Sequence, residues 1–419
     1  MTIDRASGGT TTARAHSTRG ARIIGQNGMW SSALRATPEC GRAGAAPHSE
    51  ALRIAVLCPP WFPVPPRRYG GIEAVVALLA DGLVAEGHDV TLFASGGSTT
   101  SARLVTAHSQ APSTQLGQTL PELEHVLSCI RRAGEFDVIS DHSGPLAVAL
   151  SETADTPFVH TVHNALGSAA TPAYDAALAF ASEAHVVSLS HQQRRPRPAY
   201  PWIATIPNAV DLLRYPCRAR AGGDHLVWIG RMCHDKGPDR AIAVARQAGL
   251  PILLAGKMHT PVEREYFDRR VKPQLGRSAR YVGEADKDTV VKLLHSAIAL
   301  LNPIEWAEPF GLVMIEAMAC GVPVLATRCG AAPEIIVDGV TGFIVDDHHA
   351  MADMLPALAA ITPEACRAEA VRRFSPDLMV DRYLAAFRTV IASGTRSRAP
   401  RTPLAVRPPA RGRPPEVGA

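Results

Sequence analysis

Two glutamates, Glu308 and Glu316, flank the start of a predicted helix that lies between two predicted strands. The segment spans residues 302–330 and reads NPIEWAEPFGLVMIEAMACGVPVLATRCG, with Pro309 near the helix start and Gly321 as its stop. A helix N-terminus beside the carboxyl end of a strand binds anions such as phosphate, because its N–H groups are unpaired and the helix dipole is positive there. Carboxylates at such a site accept hydrogen bonds from sugar hydroxyls. Either glutamate alone would fit a helix cap or a solvated position, but Glu316 lies among apolar residues.

Arg231 and Lys236 form a second candidate group, in the segment WIGRMCHDKG at residues 228–237. This segment follows a predicted strand and leads into a predicted helix, so both cations lie near a helix start. Cations placed there can neutralise a diphosphate, and the alternative is two solvated charges in a loop. Lysine is rare in this chain, with five among the 43 basic residues, which favours a specific role for Lys236.

Gly70 and Gly71 lie between the first predicted strand and the helix that follows it, in the segment RRYGGIEAVV. Paired glycines allow close backbone approach and positive φ angles, so this loop could hold a phosphate against the helix start. A Gly-Gly pair is by itself more often a turn. No G-x-G-x-x-G segment occurs, which argues against a dinucleotide site.

Histidines follow or end several of the predicted strands. His163, in the segment VHTVHNALG, is expected at the carboxyl end of a parallel strand, where such sheets bind their ligands. His160 would share its strand face if the strand extends as far as His163. His142, in ISDHSG, is a weaker candidate, since a single histidine is usually structural.

Short apolar strands alternate with helices over most of the chain, which predicts an α/β fold. The first series of strands is LRIAVLC (52–58), HDVTLFAS, RLVTAH, FDVISDHS, PFVHTVHN and HVVSLS. The second series follows TIPNAVD (205–211) and comprises LVWIGR, PILLAG, ARYVG, IALLNP, PVLATR and TGFIV. Each series has the size of one Rossmann-like domain with a parallel sheet. The cleft between two such domains is the expected ligand site.

The 419 residues carry a net charge of +4, and the basic excess lies at the two ends. Six arginines fall within residues 1–50 and six within 394–419, against three and one acidic residues, so residues 51–393 are mildly acidic. This distribution argues against a nucleic-acid partner. The eight cysteines form no zinc pattern, which favours reduced thiols in the cytoplasm. No apolar run reaches the ~18 residues of a membrane span, and the start has no signal-peptide core.

The motif E-P-F-G-L-V-x-x-E-A-M-A-x-G-x-P-V, at residues 308–324, resembles the signature of the family-four (group 1) retaining glycosyltransferases of the GT-B architecture. The resemblance covers roughly residues 52–392, because further landmarks of the family follow in order. TIPNAVD resembles the family's I-P-N-G-V-D at the domain junction, with Ala209 in place of the glycine. The resemblance implies two Rossmann-like domains with parallel sheets facing across a cleft, and a glycosyltransferase of the hexosyltransferase type.

The resemblance also implies roles for individual residues. Glu308 would contact the donor sugar, Glu316 would bind the nucleotide ribose, and His163 would lie close to the reacting sugar. Arg231 and Lys236 would bind the donor diphosphate and stabilise the leaving nucleotide. The residues implied in catalysis or donor binding are Gly70, Gly71, His163, Arg231, Lys236, Glu308, Phe310, Gly311, Leu312 and Glu316.

Composition and resemblance together predict the domain organisation. A disordered extension at 1–50 precedes an amino-terminal acceptor domain at 51–204 and a carboxyl-terminal donor domain at 205–375. A helix at 376–393 has a broad apolar stripe and is expected to cross back and pack on the first domain. Residues 394–419 form a Pro/Arg-rich tail that is predicted to be disordered.

The implied reaction transfers a sugar from a nucleotide-diphosphate donor, UDP foremost, to an acceptor hydroxyl with retention of the anomeric configuration. GT-B enzymes generally need no metal, so no cofactor is expected beyond the donor as co-substrate. The acceptor stays open, and a lipid acceptor would bring peripheral contact with a membrane. Two alternatives also stay open: a nucleotide-sugar epimerase on the same fold, or a protein that binds a nucleotide sugar without turnover.

Overall fold

The computed structural model describes residues 50–68, 70–181 and 183–394. The predicted extension up to residue 49 and the predicted tail from residue 395 lie outside the described residues. Within the described part, the chain forms two α/β domains, each built on a parallel sheet, so the predicted fold class is confirmed.

The first domain contains a sheet of seven strands. They are β1 (Arg53–Leu57), β2 (Asp89–Phe93), β3 (Arg103–Val105), β4 (Val138–Asp141), β5 (Phe158–Thr161), β6 (His185–Ser188) and β7 (Trp202–Thr205). All pairs are parallel, in the order β3-β2-β1-β4-β5-β6-β7. The apolar sequences explain this arrangement: in β1 the residues from Ile54 to Leu57 are fully buried, because helices cover both faces of the sheet.

Five helices accompany this sheet. They are α1 (Gly71–Ala85), α2 (Thr119–Ile130), α3 (Pro145–Ser151), α4 (Thr171–Phe180) and α5 (His191–Arg194). Helix α1 buries Val75, Val76, Leu79 and Leu83, which repeat at helical spacing, and it ends at Ala85, before Gly87.

The second domain contains a sheet of six strands. They are β8 (His225–Arg231), β9 (Ile252–Lys257), β10 (Ala279–Gly283), β11 (Ala297–Asn302), β12 (Val324–Thr327) and β13 (Gly342–Val345). The order is β10-β9-β8-β11-β12-β13, and every pair is parallel. Its helices are α6 (Pro238–Gln247), α7 (Pro261–Tyr266), α8 (Lys287–His295), α9 (Leu312–Ala319), α10 (Ala332–Ile335), α11 (Met351–Met354) and α12 (Pro363–Phe374).

The last described helix, α13 (Pro376–Gly394), packs on the first domain. Its residues Met379, Tyr383 and Phe387 are buried in the same apolar cluster as the α1 residues Val76 and Leu79. The hydroxyl groups of Tyr383 and of Thr161, at the end of β5, are joined by a hydrogen bond of 2.9 Å. The apolar stripe in its sequence therefore covers one face of the amino-terminal sheet and its helix.

Some elements of the described structure differ from the sequence analysis. Strand β7 was not predicted, because its edge position leaves WIAT half-buried and without a continuous apolar run. It includes Thr205, which was assigned to the second domain. Helix α12 was not predicted either, since it buries mainly small or isolated apolar side chains among charged residues. No helix in the described ranges is long and apolar enough to cross a membrane.

Candidate active site

A cavity of about 550 Å³ lies where the carboxyl ends of the two sheets face each other. The first domain contributes the loops after β1, β4 and β5, and the second contributes the loops after β8, β9 and β11. All ten residues singled out in the sequence line this one cavity: Gly70, Gly71, His163, Arg231, Lys236, Glu308, Phe310, Gly311, Leu312 and Glu316. The topology thus brings together residues up to 246 positions apart in the chain.

The N-terminus of α9 opens into the cavity. Gly311 caps this helix with φ of 97°, and a Cβ atom there would lie 2.6 Å from Cε of Met314. Glycine suits this position because a φ of 97° is strained for a residue with a side chain, and a Cβ atom would also displace the Met314 methyl group. Helix α9 begins at Leu312, three residues after Pro309.

The N-terminus of α1 meets the same place from the other domain. A Cβ atom on Gly71 would lie 3.2 Å from Cδ1 of Leu312, so the two helix starts are in contact across the cavity. Two sets of unpaired N–H groups and two positive dipole ends therefore converge, which is an arrangement suited to an anion.

Glu308 and Lys236 form an ion pair at the N-terminus of α9. Their side chains are 11% and 18% exposed, and the Lys236 ammonium lies 5.2 Å from the ring centroid of Trp306. The indole N–H of Trp228 donates to the Lys236 carbonyl at 2.9 Å, which fixes the turn His234–Lys236. The ion pair places one charge of each sign at the start of α9.

Glu316 is held by two residues that the sequence analysis did not identify. Its Oε1 accepts hydrogen bonds from the Tyr215 hydroxyl at 2.7 Å and from Nζ of Lys287 at 3.1 Å. Burial, together with the Glu316 charge, raises the pKa of Tyr215 well above its ordinary value, so the phenol stays a donor. The rarity of lysine could have pointed to Lys287, but no local pattern points to Tyr215, which lies 101 residues from its partner.

Arg231 is oriented by Glu263, which also was not predicted. Nη1 of Arg231 donates to Oε1 of Glu263 at 3.4 Å, while Oε2 accepts the backbone N–H groups of His259 at 2.7 Å and Thr260 at 3.1 Å. Burial alone would raise the pKa of Glu263, but these backbone donors and the neighbouring cations lower it below its ordinary value. A charged carboxylate thus fixes the guanidinium beside the cavity. The capping box T-x-x-E at residues 260–263 was the available signal.

His163 is the histidine that lines the cavity, whereas His160 and His142 do not. A hydrogen bond of 3.0 Å joins Nε2 of His163 to Nδ1 of His142. Burial lowers the pKa of His163 to about 3, with His160 adding to the effect, so this imidazole is neutral near pH 7. His160 instead contacts Asp141 at 2.5 Å and Tyr174 at 3.1 Å. The expected shared face required the strand to reach His163, but β5 ends at Thr161, and residues three positions apart would in any case lie on opposite faces of a strand.

Glu73 and Lys257 also line the cavity and were not predicted as site residues. Glu73, in the first turn of α1, is 4% exposed, and burial raises its pKa to about 7 against the opposing effects of its own backbone N–H and of Lys257. Lys257 ends β9 and is 5% exposed. Phe310 also lines the cavity, but its ring packs against Phe374 at a centroid distance of 5.7 Å. Among the described residues, no group of three metal-ligating side chains is placed to hold an ion.

Comparison with known proteins agrees with this geometry. Residues 69–214 match the family described as Glycosyltransferase Family 4, and residues 219–362 match the family described as Glycosyl transferases group 1. A D-inositol 3-phosphate glycosyltransferase of Pseudarthrobacter chlorophenolicus is 28% identical over 361 residues, which cover 70% of this chain and 82% of that enzyme. A glycogen synthase of Mycobacterium tuberculosis is 33% identical over 149 residues, and this match spans 33% of the chain and only 35% of the synthase.

Solved structures share the architecture. AviGT4, a glycosyltransferase involved in avilamycin A biosynthesis, superposes with a TM-score of 0.62 at 27% identity, covering 82% of this chain and 98% of that one. Anabaena HepE in complex with UDP-glucose superposes with a TM-score of 0.63 at 20% identity, covering 81% and 100% of the two chains.

Proposed function

The chain belongs to the group 1 glycosyltransferases of family 4 and has the two-domain GT-B architecture, and from this premise we propose that it moves a sugar from a UDP-sugar to an acceptor hydroxyl with retention of the anomeric configuration. The observation that carries the proposal is the content of one cavity: two facing helix N-termini, the cations Arg231 and Lys236, and the carboxylates Glu308 and Glu316.

The diphosphate of the donor binds at the two helix starts. Arg231 is already oriented by Glu263, and Lys236 is held at the N-terminus of α9, so neither has to reorganise when the sugar–phosphate bond breaks. Negative charge then builds up on the leaving diphosphate, and donors fixed beforehand stabilise that charge most effectively. These groups supply the positive charge for which other enzymes use a metal.

The sugar and the ribose are recognised by the two glutamates. Glu308 accepts a hydrogen bond from a sugar hydroxyl, while its ion pair with Lys236 holds the carboxylate in position. In Glu316 both described donors reach Oε1, which leaves Oε2 to accept the ribose hydroxyls. Each glutamate is therefore positioned for one part of the donor.

His163 contacts the reacting sugar as a neutral imidazole. Its pKa of about 3 means that it carries no charge that would oppose the oxocarbenium-like transition state. The acceptor hydroxyl approaches from the amino-terminal domain on the face that the diphosphate leaves, and the departing phosphate oxygen takes its proton. Attack on that face retains the anomeric configuration.

UDP is the nucleotide to test first, because the Anabaena protein with the same fold was solved with UDP-glucose. The acceptor class is wider: the relatives named above act on inositol 3-phosphate or on glycogen. The proposal requires an acceptor that carries a hydroxyl group and fits against the loops of the first domain.

The deciding experiment compares Arg231→Ala and Lys236→Ala with the wild type in release of UDP from UDP-glucose, with and without an acceptor panel. Each variant is expected to lower turnover by roughly 10²–10³-fold, because each loses one stabiliser of the developing charge. Arg269→Ala and Lys272→Ala are matched controls, since both side chains are exposed and paired on the surface, at 76% and 67% exposure.

Each alternative gives its own result in the same assay. Near-normal turnover in both site variants would contradict the assignment of the diphosphate site. A sugar nucleotide that is bound but never consumed would indicate a binding protein, and a product that is an epimer of the donor sugar would indicate an epimerase. NMR analysis of the anomeric linkage in the product tests retention.

A further inference from the structure

Lys257 is a buried cation on the cavity wall to which neither the motif nor the family resemblance assigns a phosphate contact. It ends β9, lines the cavity and is 5% exposed. Burying an ammonium group costs free energy unless other charges compensate for the lost hydration. An apolar side chain of the same length would fill this position without that cost, so the charge itself needs an explanation.

Lys257 lies directly beside Arg231. The two residues are partners in the parallel ladder between β8 and β9, so their side chains leave the sheet on the same face, about 4.8 Å apart at the backbone. The N–H of Met232 donates to the Lys257 carbonyl at 3.1 Å, which keeps the ends of the two strands together. A diphosphate held by Arg231 is therefore within reach of the Lys257 ammonium.

Charged groups face Lys257 from each neighbouring element. Glu263 in α7, Glu284 after β10 and Glu73 in α1 attract its charge, and Arg231 opposes it. Two of these carboxylates have other partners: Glu263 binds Arg231, and Glu284 lies 3.9 Å from Arg68. Their attraction is therefore shared between Lys257 and other cations.

The balance of these effects leaves the ammonium less stable than in water. Burial is the largest effect and lowers the pKa of Lys257 to about 8, in spite of the three carboxylates. The ring of Phe62, from the opposite domain, lies 5.3 Å from the ammonium and covers it. An anion entering the cavity would add a further attraction that favours the charged ammonium.

We propose that Lys257 donates a hydrogen bond to the diphosphate of the nucleotide donor, as a third cation beside Arg231 and Lys236. The inference rests on the proposed function, because it requires a nucleotide diphosphate in this cavity. It assigns the pair Arg231 and Lys257 to one wall of the phosphate site, with Glu263 holding the guanidinium of the pair in place.

Calorimetric titration with UDP and with uridine tests the assignment, because the two probes differ only in the diphosphate. Lys257→Met should lower the affinity for UDP by roughly 10–100-fold, the range expected for loss of a charge-assisted hydrogen bond, and should change the affinity for uridine less than twofold. Lys257→Arg should keep most of the affinity for UDP. Lys272→Met removes one positive charge from the surface and should leave both affinities unchanged.

Further titrations separate failure of this inference from failure of the proposed function. If Arg231→Ala weakens UDP binding and Lys257→Met does not, Lys257 has no phosphate contact and only this inference falls. Equal losses for UDP and uridine in Lys257→Met would also overturn it, since they would show a role in shaping the cavity. The wild type is also titrated with three pairs of ligands: UDP and uridine, GDP and guanosine, ADP and adenosine. If in no pair the diphosphate binds more tightly than the nucleoside, both the inference and the proposed donor are wrong. The melting temperature of unliganded Lys257→Met should not fall below that of the wild type, which shows that the variant is folded.

Discussion

At the scale of single residues, hydrogen-bond partners decide the direction of the pKa shift in chemically identical groups. Glu263 and Glu73 are both buried glutamates near Lys257, yet the pKa of Glu263 is lowered and that of Glu73 is raised. The difference lies in hydrogen bonding: Glu263 accepts two backbone N–H groups and a guanidinium, whereas the described contacts of Glu73 include no donor from another residue. Burial therefore dominates at Glu73 and is overcome at Glu263.

We predict that Glu73 makes the protein less stable as the pH rises. Its pKa is about 4.5 in the unfolded chain and about 7 in the fold, so the folded state holds the extra proton between these values. The contribution of Glu73 to the free energy of unfolding is fully present below about pH 4.5 and is lost as the pH rises through about 7. The loss amounts to about 3 kcal/mol. Glu73→Gln should therefore gain stability relative to the wild type between pH 5 and pH 8.

Thermal or urea unfolding of both proteins at the two pH values measures this change. Glu86→Gln serves as the control, because Glu86 lies at the exposed end of the same helix. A stability difference between Glu73→Gln and wild type that is the same at pH 5 and pH 8 would show that Glu73 is not buried as described.

At the scale of elements, the crossing of α13 over α1 joins the end of the described chain to the first domain. Gly82 lies at the crossing point, where a Cβ atom would approach Cγ2 of Val380 to 2.6 Å. The two helices can pack this closely because α1 has no side chain at that position. The contact also explains why an apolar α1 tolerates a glycine in its interior, at a cost of about 1 kcal/mol in helix propensity.

We predict that Gly82→Ala destabilises the protein by about 1–3 kcal/mol, since overpacking at the crossing outweighs the better helix propensity of alanine. Val380→Ala should create room, so the double variant Gly82→Ala/Val380→Ala should be more stable than the sum of the single effects predicts. Urea unfolding of the four proteins completes the cycle. Strictly additive effects would mean that the helices do not meet at this pair.

At the scale of the whole molecule, the two domains are joined unequally around the cavity. On one side Glu334 accepts the backbone N–H groups of His191 and Gln192 at 2.8 and 2.6 Å, and Ser190 donates to the Pro309 carbonyl at 2.8 Å. On the other side, which we call the lip, the loop before α1 faces the second domain. There Nη1 of Arg68 lies 3.9 Å from Oε2 of Glu284, and the Arg68 side chain is exposed. This asymmetry favours rotation about the first side, with the lip as the moving part.

We predict that UDP closes the cleft, because ligands that contact both domains favour the closed state. The radius of gyration from small-angle scattering should decrease at saturating UDP and should not change with uridine, which lacks the diphosphate that bridges the two helix starts. Arg231→Ala with UDP is the matched control for the phosphate contact. An unchanged radius of gyration in the wild type, with UDP binding confirmed by calorimetry, would contradict closure.

Local sequence predicted most of the elements and ten of the residues that meet in the cavity, but not Glu73, Tyr215, Lys257 or Lys287. Apolar runs of four to seven residues predicted twelve of the thirteen described strands, and the spacing within residues 308–324 predicted the α9 site, because backbone preference and burial pattern act over short distances. The same preferences could not identify β7 or α12, whose burial is partial and depends on neighbouring segments.

Tertiary structure alone decided the interactions of each site residue. Tyr215 reaches Glu316 across 101 positions, Lys236 reaches Glu308 across 72, and Lys257 lies beside Arg231 only because β8 and β9 pair in that register. Ionisation states such as that of Glu73 also belong to this level, since desolvation and charge depend on every chain segment that surrounds the group.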